Sequence, residues 1–231
     1  MKQKLHDADY WINRPMDSPK DWVDDQPNWL ESYVHSAYHP HRQLILNAIK
    51  EFPVRNILEI GCGTGSNLLR IHEVFPNIKL AGIDVSKKCI DRASDYLENA
   101  IFKVGSYLAI PFGSKSFDVV LADATLMYCA LEDINGAMEE IDRISRGVII
   151  IVDRMSKSRE GIISGHVWAR NYPALLRDLG YKVKTTKITE KDWPNSKGWV
   201  KQGIILVARK EENYLLGSPS FYEVGEGLRW V

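Results

Sequence analysis

The sequence predicts an α/β fold: a doubly wound, mostly parallel sheet with helices packed on both faces. Apolar runs of four to seven residues alternate with stretches of helical spacing through the middle of the chain. Strand followed by helix, repeated, is typical of parallel sheets, since parallel neighbours need a crossover connection that is usually a helix. A glycine-rich turn follows the first of these runs, and an aspartate follows the second. These observations also predict a binding site at the carboxyl edge of the sheet.

The predicted strands are the apolar runs bounded by turn residues, at 56–60, 78–83, 101–104, 117–122 and 147–152. The predicted helices are the stretches with apolar residues at helical spacing, at 67–75, 86–99, 131–145 and 167–179. Ser86 is a suitable N-cap residue, and Gly180 suits the position just past a helix end. The runs 181–188 and 203–209 follow one another closely, which predicts an antiparallel hairpin at the sheet edge.

Composition predicts a globular, cytoplasmic protein that is soluble and not attached to a membrane. The 231 residues are 45% hydrophobic and 26% charged, with 30 basic and 30 acidic side chains. A net charge of zero supplies no overall field to attract polyanions, so nucleic acid is an unlikely partner. Cys62, Cys89 and Cys129 lack metal-ligand spacing, and we expect reduced thiols. No apolar window suggests export or a membrane span.

Three regions are predicted from changes in composition along the chain. Residues 1–50 are rich in histidine and tryptophan with weak periodicity, and we expect an extension that forms a lid. Residues 51–210 contain the alternating pattern of the core domain. Residues 211–231 form an aromatic tail, which either caps its own sheet or contacts a second copy in a homodimer.

The glycine-rich segment ILEIGCGTGSN, residues 57–67, carries the strongest functional signal. Gly61, Gly63 and Gly65 allow positive φ and close approach of a ligand, and the helix that follows directs free N–H groups at an anionic group. Asp84 comes 19 residues after Gly65, where a carboxylate can accept both hydroxyls of an unphosphorylated ribose. The spacing is G-x-G-x-G, which differs from the dinucleotide fingerprint, and no P-loop sequence occurs.

With its neighbours this segment resembles the class I S-adenosylmethionine-dependent methyltransferases. The resemblance rests on LEIGCGTGSNLLRI, on GIDVS and on the stretch from Gly105 to Tyr128. It implies a seven-stranded sheet of order 3-2-1-4-5-7-6 with the last strand antiparallel, and it implies S-adenosylmethionine as cofactor with S-adenosylhomocysteine as product. The family commonly has an acidic residue after the third strand, and this chain has Gly105, Ser106 and Tyr107 there.

The resemblance also implies which residues contact the cofactor. The first loop would surround its methionine part, Asp84 would hold the ribose and Val85 would pack on the adenine. From the extension, Tyr10 and Trp11 would face the sulfonium and Arg14 would pair with the carboxylate. The full predicted set is Tyr10, Trp11, Arg14, Glu59, Gly61, Cys62, Gly63, Gly65, Asn67, Asp84, Val85, Gly105, Ser106, Tyr107 and Asp123.

Candidate catalytic residues follow strands four and five. A hydroxyl or protonated amine acceptor needs a general base within hydrogen-bond reach, and Asp123, Tyr128 and His166 are the predicted candidates. The segment after the fifth strand carries Arg154, Lys157, Arg159 and Arg170 against Asp153 and Glu160, which favours a polar or anionic substrate. The cluster of His35, His39 and His41 has no carboxylate or thiolate to complete a ligand set, so no metal is predicted.

Small-molecule methylation at a nitrogen or oxygen nucleophile is the leading hypothesis. A protein-substrate methyltransferase and a noncatalytic cofactor-binding homologue stay open as alternatives, since exposed aromatics near both ends suit partner recognition. Nucleic acid is disfavoured again because ADAT replaces the amino-methylating signature after strand four.

Overall fold

A seven-stranded sheet forms the centre of the computed structural model, which describes residues 8–20, 24–158, 161–164, 167–210, 221–223 and 228–230. Its strands are β1 (Asn56–Ile60), β2 (Lys79–Asp84), β3 (Ala100–Val104), β4 (Phe117–Asp123), β5 (Ser145–Arg154), β8 (Lys182–Lys187) and β9 (Gly203–Arg209). Two short hairpins pair β6 (Ile162–Ser164) with β7 (Val167–Ala169) and β10 (Phe221–Glu223) with β11 (Leu228–Trp230). The described helices are α1 (Ala8–Asn13), α2 (Trp29–His35), α3 (Arg42–Ile49), α4 (Ser66–Val74), α5 (Lys87–Ser94), α6 (Ile134–Ile144), α7 (Tyr172–Asp178) and α8 (Lys197–Gln202).

The strand order is β3-β2-β1-β4-β5-β9-β8. The first five strands run parallel, and β9 runs antiparallel to both of its neighbours. The predicted fold class, strand order and antiparallel last strand are therefore confirmed. Strands β2 and β4 pair with opposite sides of β1, so the order of the strands reverses between β1 and β4. At this reversal point, open α/β sheets have a crevice outside the carboxyl ends of the strands.

The core consists of two apolar layers, one on each face of the sheet. Leu58 and Ile60 of β1 point into the layer covered by α6 and α7, while Ile57 points into the layer covered by α3, α4 and α5. Side chains alternate between the faces of a strand, so burial on both faces gives the nearly continuous apolar runs seen in the sequence. This two-sided burial fixes the carboxyl ends of β1 and β4 as a rigid platform.

One predicted helix begins later than expected. The segment 167–179 starts with strand β7, and α7 begins only at Tyr172. The Asn171 side chain accepts a hydrogen bond from the N–H of Ala174, and Pro173 lies in the first turn. An N-cap followed by proline fixes the helix start there. Gly180 has φ +85 just after α7, as predicted for a helix end.

Other differences concern the loop and the tail. The segment that connects the two strands of the predicted hairpin, β8 and β9, contains the short helix α8. Most of residues 211–231 lie outside the described part of the chain, so the predicted dimer contact stays a prediction. Within the described residues, no helix is long and apolar enough to cross a bilayer.

Candidate active site

A cavity of about 560 Å³ opens at the carboxyl edge of β1, β2 and β4. It lies at the reversal point of the strand order, where open α/β sheets bind ligands. Its first end is lined by the glycine turn, Asp84, Val85, Gly105 and Tyr107. Its second end is lined by His39, Arg154, Trp193, Asn195, Ser196 and Trp199. One continuous space therefore joins two chemically different ends.

The glycine turn has the backbone shape that the sequence predicted. Gly61 has φ +65 and Gly63 has φ +52, a region that residues with a Cβ seldom adopt. A Cβ on Gly61 would overlap the side chain of Thr125, so the loop after β4 packs directly against this turn. A Cβ on Gly63 would instead meet open space, because the nearest atom, on the ring of Tyr33, would lie 3.7 Å away. The turn therefore exposes backbone to the cavity at Gly63.

Asp84 ends β2 and holds the glycine turn in place. Its Oδ2 accepts the N–H of Gly63 at 2.9 Å, and its Oδ1 accepts the N–H of Ser86 at 2.8 Å. Burial raises the pKa of Asp84, while the backbone N–H groups act in the opposite direction. Each carboxylate oxygen can accept a second hydrogen bond, so Asp84 can still receive the hydroxyls of a ribose.

A buried polar network lies between the two ends, centred on Asp123 at the end of β4. Its Oδ2 contacts His41 Nε2 at 2.9 Å and accepts hydrogen bonds from Asn67 Nδ2 at 2.9 Å and Arg42 Nη1 at 3.2 Å. The same Asn67 amide donates to Glu59 Oε1 at 2.6 Å. Asn67 of α4 thus joins the ends of β1 and β4, and the N-terminal segment contacts the end of β4 through His41 and Arg42.

The two carboxyl groups of this network have opposite protonation. Burial raises the pKa of Glu59 to about 8, against the opposing effect of the hydrogen bond from Asn67. Burial also disfavours ionised Asp123, but His41, Arg42 and Asn67 outweigh it and lower the pKa of Asp123 to about 2. At neutral pH the site therefore holds one ionised and one mostly neutral carboxyl group.

Two oxygens of the network are buried without a hydrogen-bond partner, Glu59 Oε2 and Asp123 Oδ1. Both residues line the cavity. Buried carboxyl oxygens are rarely left unpaired, because the lost hydration is costly. These atoms therefore indicate where a ligand with hydrogen-bond donors belongs.

Aromatic residues of the N-terminal segment border the first end. Tyr10 and Trp11 of α1 line the cavity, and Trp11 contacts the ring of Tyr128 edge to face at 5.1 Å between centroids. Arg14 is 2% exposed, and its guanidinium lies 4.5 Å from the ring centroid of Trp29 and donates to the carbonyl of Pro19 at 2.6 Å. Arg14 is outside the cavity lining, so the structure does not bring it to the position expected for a partner of the cofactor carboxylate.

Tryptophans border the second end. Trp193 stacks on Trp199 with ring centroids 3.8 Å apart and on His41 with centroids 4.2 Å apart. Arg154, which ends β5, lies with its guanidinium 5.7 Å from the centroid of Trp199, and its Nε is buried without a hydrogen-bond partner. Side-chain atoms on Gly198 would overlap this guanidinium, so the glycine leaves room for Arg154.

The structure brings together most of the residues predicted for cofactor binding. The members that line the cavity are Tyr10, Trp11, Glu59, Gly61, Cys62, Gly63, Asn67, Asp84, Val85, Gly105, Tyr107 and Asp123, and the catalytic candidate Tyr128 lines it too. Gly65 and Ser106 do not line the cavity: a Cβ on Gly65 would face Ala93 and Phe102, and the Ser106 hydroxyl accepts the N–H of Leu108.

The predicted base His166 and the residues predicted to favour an anionic substrate have different outcomes. His166, Arg159 and Glu160 lie outside the described residues. Of the basic residues predicted to favour an anion, Arg154 lines the cavity, whereas Lys157 is exposed and Arg170 is buried with Nη2 donating to the carbonyl of Cys129. Within the part of the chain that the structure describes, no group of three His, Cys, Asp or Glu side chains is arranged to hold a metal.

Sequence reasoning missed His39, His41, Arg42 and the two stacked tryptophans as site residues. His41 and Asp123 are 82 positions apart, and no local pattern in one sequence reports such a contact. The one available signal was the cluster of histidines directly before the start of α3.

Comparisons with known proteins agree with this geometry. The sequence model of a family described as "Methyltransferase domain" matches residues 57–147. A demethylmenaquinone methyltransferase of Roseiflexus castenholzii is 28% identical over 129 residues, covering 53% of this chain and 53% of the relative. An uncharacterized methyltransferase of Alkaliphilus oremlandii is 31% identical over 129 residues, covering 55% of this chain and 58% of the relative. The chain spans about half the length of these curated relatives.

Solved structures share the fold at low sequence identity. Geranyl diphosphate C-methyltransferase from Streptomyces coelicolor superposes with a TM-score of 0.63 at 14% identity, over 88% of this chain and 96% of that one. Magnesium protoporphyrin IX methyltransferase from Synechocystis, solved with bound S-adenosylmethionine, superposes with a TM-score of 0.61 at 16% identity, over 88% of this chain and 94% of that one. Residues 57–147 of this chain therefore match a methyltransferase domain, and its fold is that of the class I S-adenosylmethionine-dependent methyltransferases.

The cavity fits the cofactor of that family. S-adenosylmethionine carries an ammonium group, a ribose and a sulfonium. The unpaired Oε2 of Glu59 is a suitable acceptor for the ammonium, and Asp84 retains acceptor capacity for the ribose. Tyr10 and Trp11 supply aromatic faces, which attract a cation such as the sulfonium. The first end of the cavity therefore offers a partner for each of these groups.

Proposed function

We propose that this protein transfers a methyl group from S-adenosylmethionine to a nitrogen or oxygen nucleophile of a small molecule. The observation that carries the proposal is the single cavity whose first end fits the cofactor and whose second end, beyond Asp123, is lined by Arg154 and stacked tryptophans. Two ligands can meet in such a space with their reactive groups adjacent. Holding two reactants in line supplies on the order of 7 to 11 kcal/mol of the barrier.

The residues of the chain act by binding and orientation. The sulfonium of the cofactor supplies an already activated methyl group. Asp84 holds the ribose hydroxyls, and Glu59 accepts from the ammonium. Tyr10 and Trp11 cover the first end from the N-terminal side and limit the access of water. This division leaves the second end of the cavity to select the acceptor.

We propose a planar anion as the acceptor. Arg154 places a guanidinium with an unpaired Nε beside the indole of Trp199, and a guanidinium pairs well with carboxylate or phosphate. Trp193 and Trp199, stacked on each other, also line this end and give it an aromatic wall, which favours a flat, unsaturated partner. The names of a similar protein and of two similar structures mention demethylmenaquinone, magnesium protoporphyrin IX and geranyl diphosphate, all small molecules, which supports a small-molecule acceptor.

The cofactor half is tested by calorimetric titration of the full chain with S-adenosylhomocysteine. We expect micromolar binding that falls at least tenfold in Asp84→Ala. Asp91→Ala is the matched control, because Asp91 is an exposed aspartate on α5 whose carboxylate pairs only with Lys87 in the described contacts. Absence of binding by the unmodified protein, or equal loss in both variants, would contradict the proposed cofactor site.

The acceptor half is tested by following S-adenosylhomocysteine formation with a panel of aromatic phenols and amines, each with and without a carboxylate. We expect turnover to favour the carboxylates. Arg154→Gln should raise KM for them at least tenfold, whereas Lys157→Gln, an exposed control nearby, should not change it. Preference for uncharged acceptors in the unmodified protein would refute the planar anion.

A further inference from the structure

Three side chains form a hydrogen-bonded chain in the wall of the cavity, with His39 at one end and Asp123 at the other. His39 lines the cavity, and its Nδ1 lies 2.6 Å from Nδ1 of His41. His41 is 0% exposed, and its Nε2 lies 2.9 Å from Oδ2 of Asp123. Burial lowers the pKa of both histidines, that of His39 to about 4, so both rings are neutral at pH 7.

This order of contacts fixes the tautomer of each ring. An ionised Asp123 only accepts hydrogen bonds, so the neutral His41 ring carries its hydrogen on Nε2. Nδ1 of His41 is then an acceptor, and the contacting Nδ1 of His39 must carry the hydrogen. A neutral imidazole has one N–H, so Nε2 of His39 carries the lone pair.

We propose that His39 is the general base that takes the proton of the methyl acceptor, and that His41 and Asp123 are positioning residues that hold its tautomer. The inference rests on the proposed function and extends it, because it requires an acceptor whose attacking atom bears a hydrogen. It also replaces Asp123 as a direct base, because Oδ2 of Asp123 already contacts His41, Asn67 and Arg42, and its pKa of about 2 makes it a weaker base than His39, whose pKa is about 4.

The proton balance is complete with the groups named. A new bond forms between the acceptor oxygen or nitrogen and the methyl carbon, and the carbon–sulfur bond breaks, leaving its electron pair on a neutral thioether. The proton of the acceptor passes to Nε2 of His39. The resulting imidazolium keeps its hydrogen bond from Nδ1 to His41 and gains the attraction of the Asp123 carboxylate, then releases its proton to solvent.

The surroundings hold this chain in one arrangement. Arg42 and Asn67 donate to the same Asp123 oxygen that contacts His41, and Trp193 stacks on the His41 ring with an angle of 25° between the planes. Among the described residues, the charged and titratable groups that act on the two rings include each other, Arg42 and Asp123, and the charge of Asp192 acts on His41. A ring held on both edges and one face keeps its orientation through the reaction.

The tautomers are tested first, by ¹⁵N–¹H correlation spectra of the histidine side chains of the full chain at pH 7, with the His39 signals assigned from His39→Gln. We expect His39 to be protonated at Nδ1 and unprotonated at Nε2, and His41 to show the reverse. A His39 ring that carries its hydrogen on Nε2, or is doubly protonated, overturns the inference. This measurement needs neither cofactor nor acceptor, so its outcome is separate from that of the proposed function.

The catalytic role is tested with the best acceptor from the phenol and amine panel. His39→Gln should lower kcat about 10²- to 10⁴-fold, with S-adenosylhomocysteine affinity and acceptor KM within threefold of the unmodified protein. His35→Gln is the control, because His35 is exposed and lies four positions away. Loss of kcat below threefold in His39→Gln, or an equal loss in both variants, overturns the role of His39 even where cofactor binding is confirmed.

Discussion

The protonation of Glu59 makes cofactor binding depend on pH. Burial raises the pKa of this carboxyl to about 8, so without ligand it is mostly neutral at pH 7. The ammonium of S-adenosylhomocysteine beside Oε2 would favour the ionised form and lower this pKa in the complex. Binding therefore releases a proton below pH 8, and affinity rises with pH. The sign follows because the free protein binds more protons than the complex in this range.

The size of the effect follows from the ionised fraction of Glu59 in the free protein. With a pKa of about 8, this fraction is about 1% at pH 6 and about 50% at pH 8. The association constant for S-adenosylhomocysteine should then increase on the order of 50-fold over these two units, or about 2.3 kcal/mol. Above pH 8 the increase should level off.

Calorimetry at pH 6, 7 and 8, in pairs of buffers with different ionisation enthalpies, measures both the affinity and the number of protons released. We expect close to one proton released at pH 6 and half a proton at pH 8. Glu59→Gln should remove the proton release and flatten the affinity. Glu132→Gln, a change at an exposed glutamate, should leave both unchanged. A flat or falling affinity in the unmodified protein would refute this account of Glu59.

Three further outcomes are expected. Gly61→Ala should lower the melting temperature and weaken S-adenosylhomocysteine binding at least tenfold, because the new methyl group overlaps the side chain of Thr125. Adding Thr125→Ala should restore part of both losses, measured by scanning fluorimetry and by calorimetry. Trp29→Ala should cost about 3 to 5 kcal/mol in urea unfolding, since this side chain is 0% exposed; a cost below 1 kcal/mol would contradict the packing. Burial lowers the pKa of His39 from 6.5 to about 4, so its contribution to stability is present above pH 6.5 and is lost as the pH falls to 4. The difference in unfolding free energy between the unmodified protein and His39→Gln should therefore change with pH only in that window.

The parts of the fold that could be predicted are those encoded locally. Strand β1 was predicted at its observed bounds, because the apolar run is short and the glycine that follows it marks where the strand ends. The segment before Tyr172 was predicted as helix because Val167 to Ala169 are apolar at a spacing compatible with either structure, and periodicity does not separate a buried strand from a buried helix over so few residues. The pairing of this segment with β6 is a tertiary contact, which the local pattern does not report.

The candidate site divides in the same way. The glycine turn and Asp84 are recognisable because their chemistry and their spacing are both local to one strand–helix–strand unit. The histidine pair was considered only as part of a metal site, since a sequence gives the types of the side chains and not the carboxylate that they face. That carboxylate, Asp123, was itself predicted to be functional, but its partners His41 and Arg42 lie far earlier in the sequence, in the N-terminal segment.

The N-terminal segment is therefore part of the site and sets its charge. The matched methyltransferase domain begins at residue 57, yet His39, His41 and Arg42 all precede it. Arg42 and His41 keep Asp123 ionised, and the negative charge of Asp123 in turn favours the neutral form of Glu59. Removing these N-terminal contacts would change the protonation of a carboxyl group on β1, at the cofactor end of the cavity. In the proposed site, cofactor affinity and the tautomer of His39 depend on the same buried carboxylate, so we predict that a substitution at Asp123 alters both together.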